Sequence, residues 1–239
     1  MSAGTVLGRL AATAFGGSCF VCRGAAARAA LICAACERDF PGLPPEHCPR
    51  CALPTPGARV CGRCVADPPA FDSTIAASAY AFPVDVLVKA LKFNSELALA
   101  GYLAARLATR LAAERTEMPE RAGPVDLIIA VPLHPRRLAE RGYNQSVEIA
   151  RALSRTVGKP LATGGCERLR DTPAQAELPF EERKRNLRGA FACSLALAGR
   201  RVALIDDVMT TGATLDALAG AVKRAGAASV ENWVVARTL

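Results

Sequence analysis

Eight of the ten cysteines fall into four C-x-x-C pairs, Cys19 with Cys22, Cys33 with Cys36, Cys48 with Cys51 and Cys61 with Cys64, and no other feature narrows the fold of this 239-residue chain so sharply. Two thiolates two residues apart on a tight turn both reach one tetrahedral zinc. Two such pairs complete a closed site with no open position for a substrate. Eight thiols thus predict two structural zinc sites, the first two pairs sharing one metal and the last two the other, although spacing alone leaves an interleaved pairing open. A disulfide framework or a redox motif does not account for four repeats of one spacing. Metal loss is expected to unfold so small a module, because binding and folding are coupled there. Cys166 and Cys193 stand apart and read as ordinary buried strand residues without a partner.

Around this module the chain divides unequally. Residues 1–17 read as a short amphipathic helix interrupted by Arg9, residues 18–67 as the zinc module, and residues 68–72 as a stiff joint begun by Pro68 and Pro69. From residue 73 to 239 the pattern changes to alternating strands and helices. Strands are expected at Ser73 to Ala81, Val125 to Val131, Cys166 to Leu169, Ala190 to Leu195, Arg201 to Asp206 and Val230 to Ala236. One long helix is expected from Val84 to Thr116, where Leu87, Leu91, Leu99, Leu103 and Leu107 keep helical spacing, with further helices at Tyr143 to Val157 and Thr214 to Arg224. Apolar strands separated by helices predict an α/β domain, a mostly parallel sheet covered on both faces. No apolar run is long enough to cross a bilayer, and a cytoplasmic protein is expected.

The segment from Val202 to Thr214 carries the most chemistry. An apolar strand ends in Asp206 and Asp207, at the edge where open α/β sheets bind ligands. Val208, Thr210, Thr211, Gly212, Ala213 and Thr214 then lead into a helix, so amides, hydroxyls and the helix amino end converge on one anion. Paired carboxylates beside a phosphate cup suit a sugar phosphate, the acids accepting hydrogen bonds from vicinal ribose hydroxyls. That requires both acids to face the rim and the cup to be open. The segment lacks the lysine and spacing of a nucleoside-triphosphate loop, and a bare turn would need only one capping side chain.

Two arginine-rich stretches lie on other strand ends. In the first, which runs from Val131 to Ser146, Arg136, Arg137 and Arg141 could neutralise a departing pyrophosphate; Arg136 and Arg141 are taken as its catalytic cations. His134 is read as loop packing rather than as a base. The second, a long polar stretch bracketed by Arg170 and Gln175 on one side and Arg183 and Asn186 on the other, reads as a candidate lid that keeps water from a reactive sugar cation. The formal charge of +8 fits phosphorylated ligands or nucleic acid, but decides nothing by itself.

The four C-x-x-C pairs, V-P-L-H-P-x-R-x-x-x-R-G-Y-N-Q, R-D-T-x-x-Q with R-x-x-N-L-x-G-A-F, and D-D-V-x-T-T-G-A-T occur here in one order from Cys19 to Arg237. Together they resemble the ComF family of bacterial competence proteins. The resemblance implies a double zinc ribbon before a type I phosphoribosyltransferase-like domain that binds phosphoribosyl pyrophosphate with magnesium, and a role in DNA uptake. In that family's loop the acids hold the ribose hydroxyls and the threonines the 5-phosphate, and a K-F-x-x segment matches Lys92, Phe93 and Asn94, with Lys89 just before it. Several purine-salvage transferases carry an aspartate where this chain has Thr210, so proton transfer to a base through that position is not implied. Two functions follow from the resemblance: a phosphoribosyltransferase of unknown acceptor, or a non-catalytic module that senses the same donor while contacting single-stranded DNA and other competence proteins. Sparse aromatics near the basic loops offer little base-stacking platform for the second.

Overall fold

The computed structural model describes residues 17–28, 30–117, 124–171, 187 and 189–239. Of the helix expected over residues 1–17, residues 1–16 lie outside the described residues and Gly17 opens β1; Gln175, Arg183 and Asn186 of the expected lid lie outside them too. In chain order the elements are β1 (Gly17–Ser18), β2 (Ala25–Ala26), α1 (Ala34–Arg38), α2 (Gly62–Ala66), β3 (Ser73–Ala79), α3 (Val84–Phe93), α4 (Ala98–Glu117), β4 (Leu127–Ala130), α5 (Pro135–Arg141), α6 (Gln145–Val157), β5 (Cys166–Arg168), β6 (Phe191–Cys193), β7 (Arg201–Met209), α7 (Ala213–Arg224) and β8 (Ser229–Arg237).

Four of the strands form one parallel sheet in the order β3, β8, β7, β4. Strand alternation sends Ala203, Ile205, Ile128, Trp233 and Val235 to a core shared with α3, α4 and α6, and sends Val202, Leu204, Ile129, Val230 and Val234 to a second core under α7. Helices thus cover both faces, as the sequence pattern requires. Leu87, Leu91, Leu99, Leu103 and Leu107 are all buried, each worth about 2 kcal/mol of transfer free energy.

The long helix expected from Val84 to Thr116 is instead two. The α3 helix ends at Phe93 with Asn94 as its C-cap, Ser95 adopts a left-handed φ of 57°, and α4 begins at Ala98. The interval between Leu91 and Leu99 continues helical spacing, so periodicity hides the break; the turn preference of Asn94 and Ser95 makes it. The arginine-rich loop after β4 also contains a helix, α5, that Pro135 starts and Gly142 ends with a left-handed φ of 81°.

Strands β5 and β6 leave the main sheet and pair antiparallel with each other, which corrects the reading of their cysteines. Cys166 and Cys193 are direct cross-strand partners, half-buried, with sulfurs 3.0 Å apart. Two strands distant in sequence meet there, which no local spacing reveals.

The cysteine module lies against the α/β domain by two different contacts. Cys19 and Cys36 join the core on the α4 side, and Cys48, Cys51 and Cys64 join the α7 side. Pro49 accepts a hydrogen bond from the Thr74 amide of β3 at 3.1 Å.

Candidate functional site

Helix α6 follows β4 onto one face of the sheet and α7 follows β7 onto the other, so the chain parts above the carboxyl ends of these adjacent strands. Open α/β sheets bind ligands in the crevice such a switch creates. A cleft of about 780 Å³ opens there, lined by Asp206, Asp207 and Val208 from β7, by Thr210, Thr211, Ala213 and Thr214 after it, and by Lys92, Arg137 and Arg141 opposite.

The two acids are not equivalent. Asp206 keeps an edge open to the cleft and its Oδ1 accepts from the Ser146 hydroxyl and from the Asp207 amide, both at 2.9 Å. Burial, together with the neighbouring Asp207 charge, raises its pKa from 3.8 to about 7, against the opposing pull of Lys92 and of its hydrogen bonds. Asp207 also borders the cleft, but it faces the rim only through its ion pair with Lys92 and is almost wholly buried. Its side chain is 4% exposed and Oδ2 sits 2.7 Å from Lys92 Nζ. Burial opposes the charge on Lys92, but the Asp207 carboxylate outweighs it and the lysine's pKa rises. Asp206 meets Ser146 in the first turn of α6 and Asp207 meets Lys92 in the last turn of α3, two helices that lie on the same face of the sheet.

The loop after β7 leads into the amino end of α7, the place expected for an anion cup. Gly212 caps α7 at φ 85°, a conformation that glycine adopts at no steric cost, and an added Cβ would stand 2.6 Å from Met209 Cε. The Ala213 amide donates to Thr211 Oγ1 at 3.3 Å. Gly212 itself faces a smaller cavity behind the loop, bordered by Phe71, Arg63 and Cys64.

The basic wall is sorted by helix geometry. On α5, Arg137 and Arg141 are one turn apart and both line the cleft, whereas Arg136 does not. The Arg136 side chain is 77% exposed; Asp171 lies 3.7 Å from it and 3.8 Å from Arg137, and of the two it is Arg137 that lines the cleft. Arg141 donates to Gln145 Oε1 and lies over the Phe93 ring, 5.5 Å from its centroid. His134 is the N-cap of α5, its Nδ1 accepting from the Arg136 amide at 3.3 Å, which agrees with a packing role. Arg170 of the expected lid is exposed just beyond β5.

Other motif residues turn out to hold the wall in place. Asn144 caps α6, accepting from the Ser146 amide and donating Nδ2 to the Val131 carbonyl, each at 2.9 Å; Tyr143 donates its hydroxyl to the Leu91 carbonyl. Ser146, Arg168, Tyr80 and Arg237, none of them among the residues expected at the site, also line the cleft. Ser146 closes the G-Y-N-Q-S run and could have been found there; Arg168, Tyr80 and Arg237 carry no local signal.

The cysteines assemble in sequence order. Cys19, Cys22, Cys33 and Cys36 form one cluster and Cys48, Cys51, Cys61 and Cys64 the other, each with its sulfurs within 4.8 Å of one another. The Cys22–Cys33 and Cys51–Cys61 separations of 3.7 and 3.6 Å match the edge of a tetrahedron with Zn–S bonds of about 2.3 Å. Both clusters fit structural zinc. Among the described residues no helix is long and apolar enough to cross a membrane.

A double zinc ribbon domain model matches residues 10–65. DNA utilization protein YhgH of Escherichia coli strain K12 is 36% identical over 229 residues, which is 93% of this chain and 98% of that protein. Competence protein F of Haemophilus influenzae is 31% identical over 216 residues, 86% of this chain and 90% of that one. Among solved structures, a purine phosphoribosyltransferase from Pyrococcus horikoshii Ot3 overlaps 57% of this chain and 84% of its own at 20% identity, with a TM-score of 0.32, a distant likeness.

Proposed function

Because the chain belongs to the ComF family, we propose that its cleft binds phosphoribosyl pyrophosphate and transfers the phosphoribosyl group to an acceptor, in a protein that serves the uptake or use of DNA. The observation that carries this reading is the placement of Asp206 toward the carboxyl end of β7, with an edge open to the cleft, ahead of the Gly212-capped loop and across from three cations.

In this reading the amides and hydroxyls from Thr210 to Thr214 hold the 5-phosphate at the amino end of α7, whose dipole favours an anion. Asp206, when ionised, accepts from the ribose hydroxyls. Asp207 can join it only by releasing Lys92. The bond between the anomeric carbon and the pyrophosphate oxygen breaks with its electron pair leaving on pyrophosphate, while the acceptor's lone pair forms the new bond and its proton departs to solvent. Arg137, Arg141 and a released Lys92 stabilise the charge that grows on the leaving group. Magnesium suits a donor rich in phosphate oxygens and Asp206 is the carboxylate open to it; when bound it neutralises pyrophosphate charge.

Calorimetry with phosphoribosyl pyrophosphate and magnesium tests the reading on the wild-type chain and on the Asp206→Asn, Asp207→Asn double variant. Wild-type binding that the double variant lacks is expected, followed by pyrophosphate release when candidate amines and bases are supplied. A wild-type chain that binds no donor would sink the proposal. DNA binding across a salt series on the same two proteins separates the competing reading, since phosphate contacts on a surface away from the cleft would survive the double substitution.

A further inference from the structure

Arg237, the last residue of β8, is 1% exposed, and its hydrogen-bond acceptors are backbone carbonyls. Nε donates to the carbonyl of Cys51 at 2.7 Å; Nη1 donates to that of Met209 at 3.0 Å, to that of Thr210, and to that of Thr238 at 2.5 Å. One planar guanidinium therefore joins a knuckle of the second cysteine cluster to the first residues of the anion cup. Burial lowers its pKa, yet an arginine remains charged in a protein, so this position is tolerable only while the carbonyls stay where they are.

The second cluster meets the cup at another point as well. Arg63 and Cys64 of α2 border the small cavity behind Thr211, Gly212 and Ala213, and the Ala70 amide donates to Asp216 Oδ1 in the first turn of α7 at 2.7 Å. Among the described residues the first cluster has no such route. It is clasped to α4, where Tyr102 and Arg106 both donate to the Glu37 carboxylate and Phe40 meets Tyr102 edge to face at 6.0 Å between centroids.

We propose that the second zinc site positions the cup through Arg237, so that zinc held by Cys48, Cys51, Cys61 and Cys64 and donor held by residues 210–214 stabilise each other, while zinc at the first site is indifferent to the donor. This rests on reading those residues as the donor's phosphate loop. The Cys51 carbonyl has its position only while the knuckle is folded, and a knuckle this short folds on its metal. Without it the fork of Arg237 loses one anchor, and the carbonyls of Met209 and Thr210, whose peptide planes orient the following amides, lose theirs. Coupling between two sites is reciprocal, so donor must raise zinc affinity by the factor by which zinc tightens donor, commonly between about 5-fold and 150-fold, and slower zinc release is where a folded knuckle expresses it.

The test follows release of zinc from the full, zinc-loaded chain to a chromophoric chelator, with and without phosphoribosyl pyrophosphate and magnesium. Two phases are expected, of which donor slows one by about tenfold and leaves the other alone. Arg106→Ala, which loosens the first cluster's clasp, should hasten only the phase that donor does not touch and leave donor affinity unchanged. Arg237→Lys keeps the charge but replaces the fork with a single ammonium that cannot span both carbonyl sets. It should keep two zinc ions and nearly the wild-type melting temperature, yet bind donor about tenfold more weakly and lose the protection. If that variant does not fold, the wild-type release experiment decides alone. Donor that binds wild type in the calorimeter but slows neither phase, or both equally, overturns the coupling and leaves the donor reading standing; full protection in a folded Arg237→Lys does the same. Absence of calorimetric binding to wild type overturns the donor reading and the coupling with it.

Discussion

Replacing Asp206 by asparagine should make the protein more stable and abolish donor binding. The carboxyl group ionises near 3.8 in an open chain and near 7 in the fold, because burial and the Asp207 charge disfavour the anion. Below about pH 4 both states are protonated and the group contributes nothing. Between about pH 4 and pH 7 the unfolded chain has released a proton that the folded chain retains, so stability falls with rising pH, by about 1.4 kcal/mol per unit. The shift of roughly three units sets a ceiling of about 4 kcal/mol on the cost at pH 8. At pH 6 roughly two units of it have accrued, so the ceiling there is about 3 kcal/mol. Asparagine keeps an oxygen for the Ser146 hydroxyl and the Asp207 amide but has no proton to lose, which removes the cost. Urea unfolding of the zinc-loaded proteins, followed by the fluorescence of Trp233, the sole tryptophan and wholly buried, reads the difference at each pH. Glu231, which burial also raises to about 7, titrates in both proteins and cancels between them. The variant's advantage should grow by about 1 kcal/mol from pH 6 to pH 8 and then level off. A variant no more stable than wild type at pH 8, or an advantage independent of pH, would refute the account of Asp206 as an anion held against its desolvation.

Other expectations follow from the same geometry. Metal analysis of protein purified without chelators should give two zinc ions per chain, and stripping them should unfold the segment from Cys19 to Cys64 by circular dichroism; less than one zinc contradicts the ribbon assignment. Arg137→Ala should weaken donor binding about tenfold, a typical loss for one charge-assisted contact, while Arg136→Ala leaves it unchanged in the same calorimetric titration. Lys92→Met strands the Asp207 carboxylate without its cation; removing a partner from a fully buried pair costs about 3 to 5 kcal/mol, and with the lysine 23% exposed a loss of about 2 kcal/mol is expected in urea unfolding.

Residues close together in the chain declared themselves without coordinates. Four repeats of C-x-x-C identify two closed metal sites because a thiolate pair on a tight turn is itself half a tetrahedron. The apolar strand before Asp206 and the glycine after the threonines mark a strand, a cup and a helix, because each depends on backbone conformation within a few residues. What lay beyond the sequence was whatever depends on which faces meet. The packing of α6 and α3 over the end of β7 leaves Asp206 an open edge and ties Asp207 to Lys92, and the rotation of α5 brings Arg137 rather than Arg136 to the cleft. The pairing of Cys166 with Cys193 and the reach of Arg237 from the last strand to Cys51 join positions far apart in the chain. Contacts of that kind are set by the packing of whole elements, for which no short spacing in a sequence is a signature.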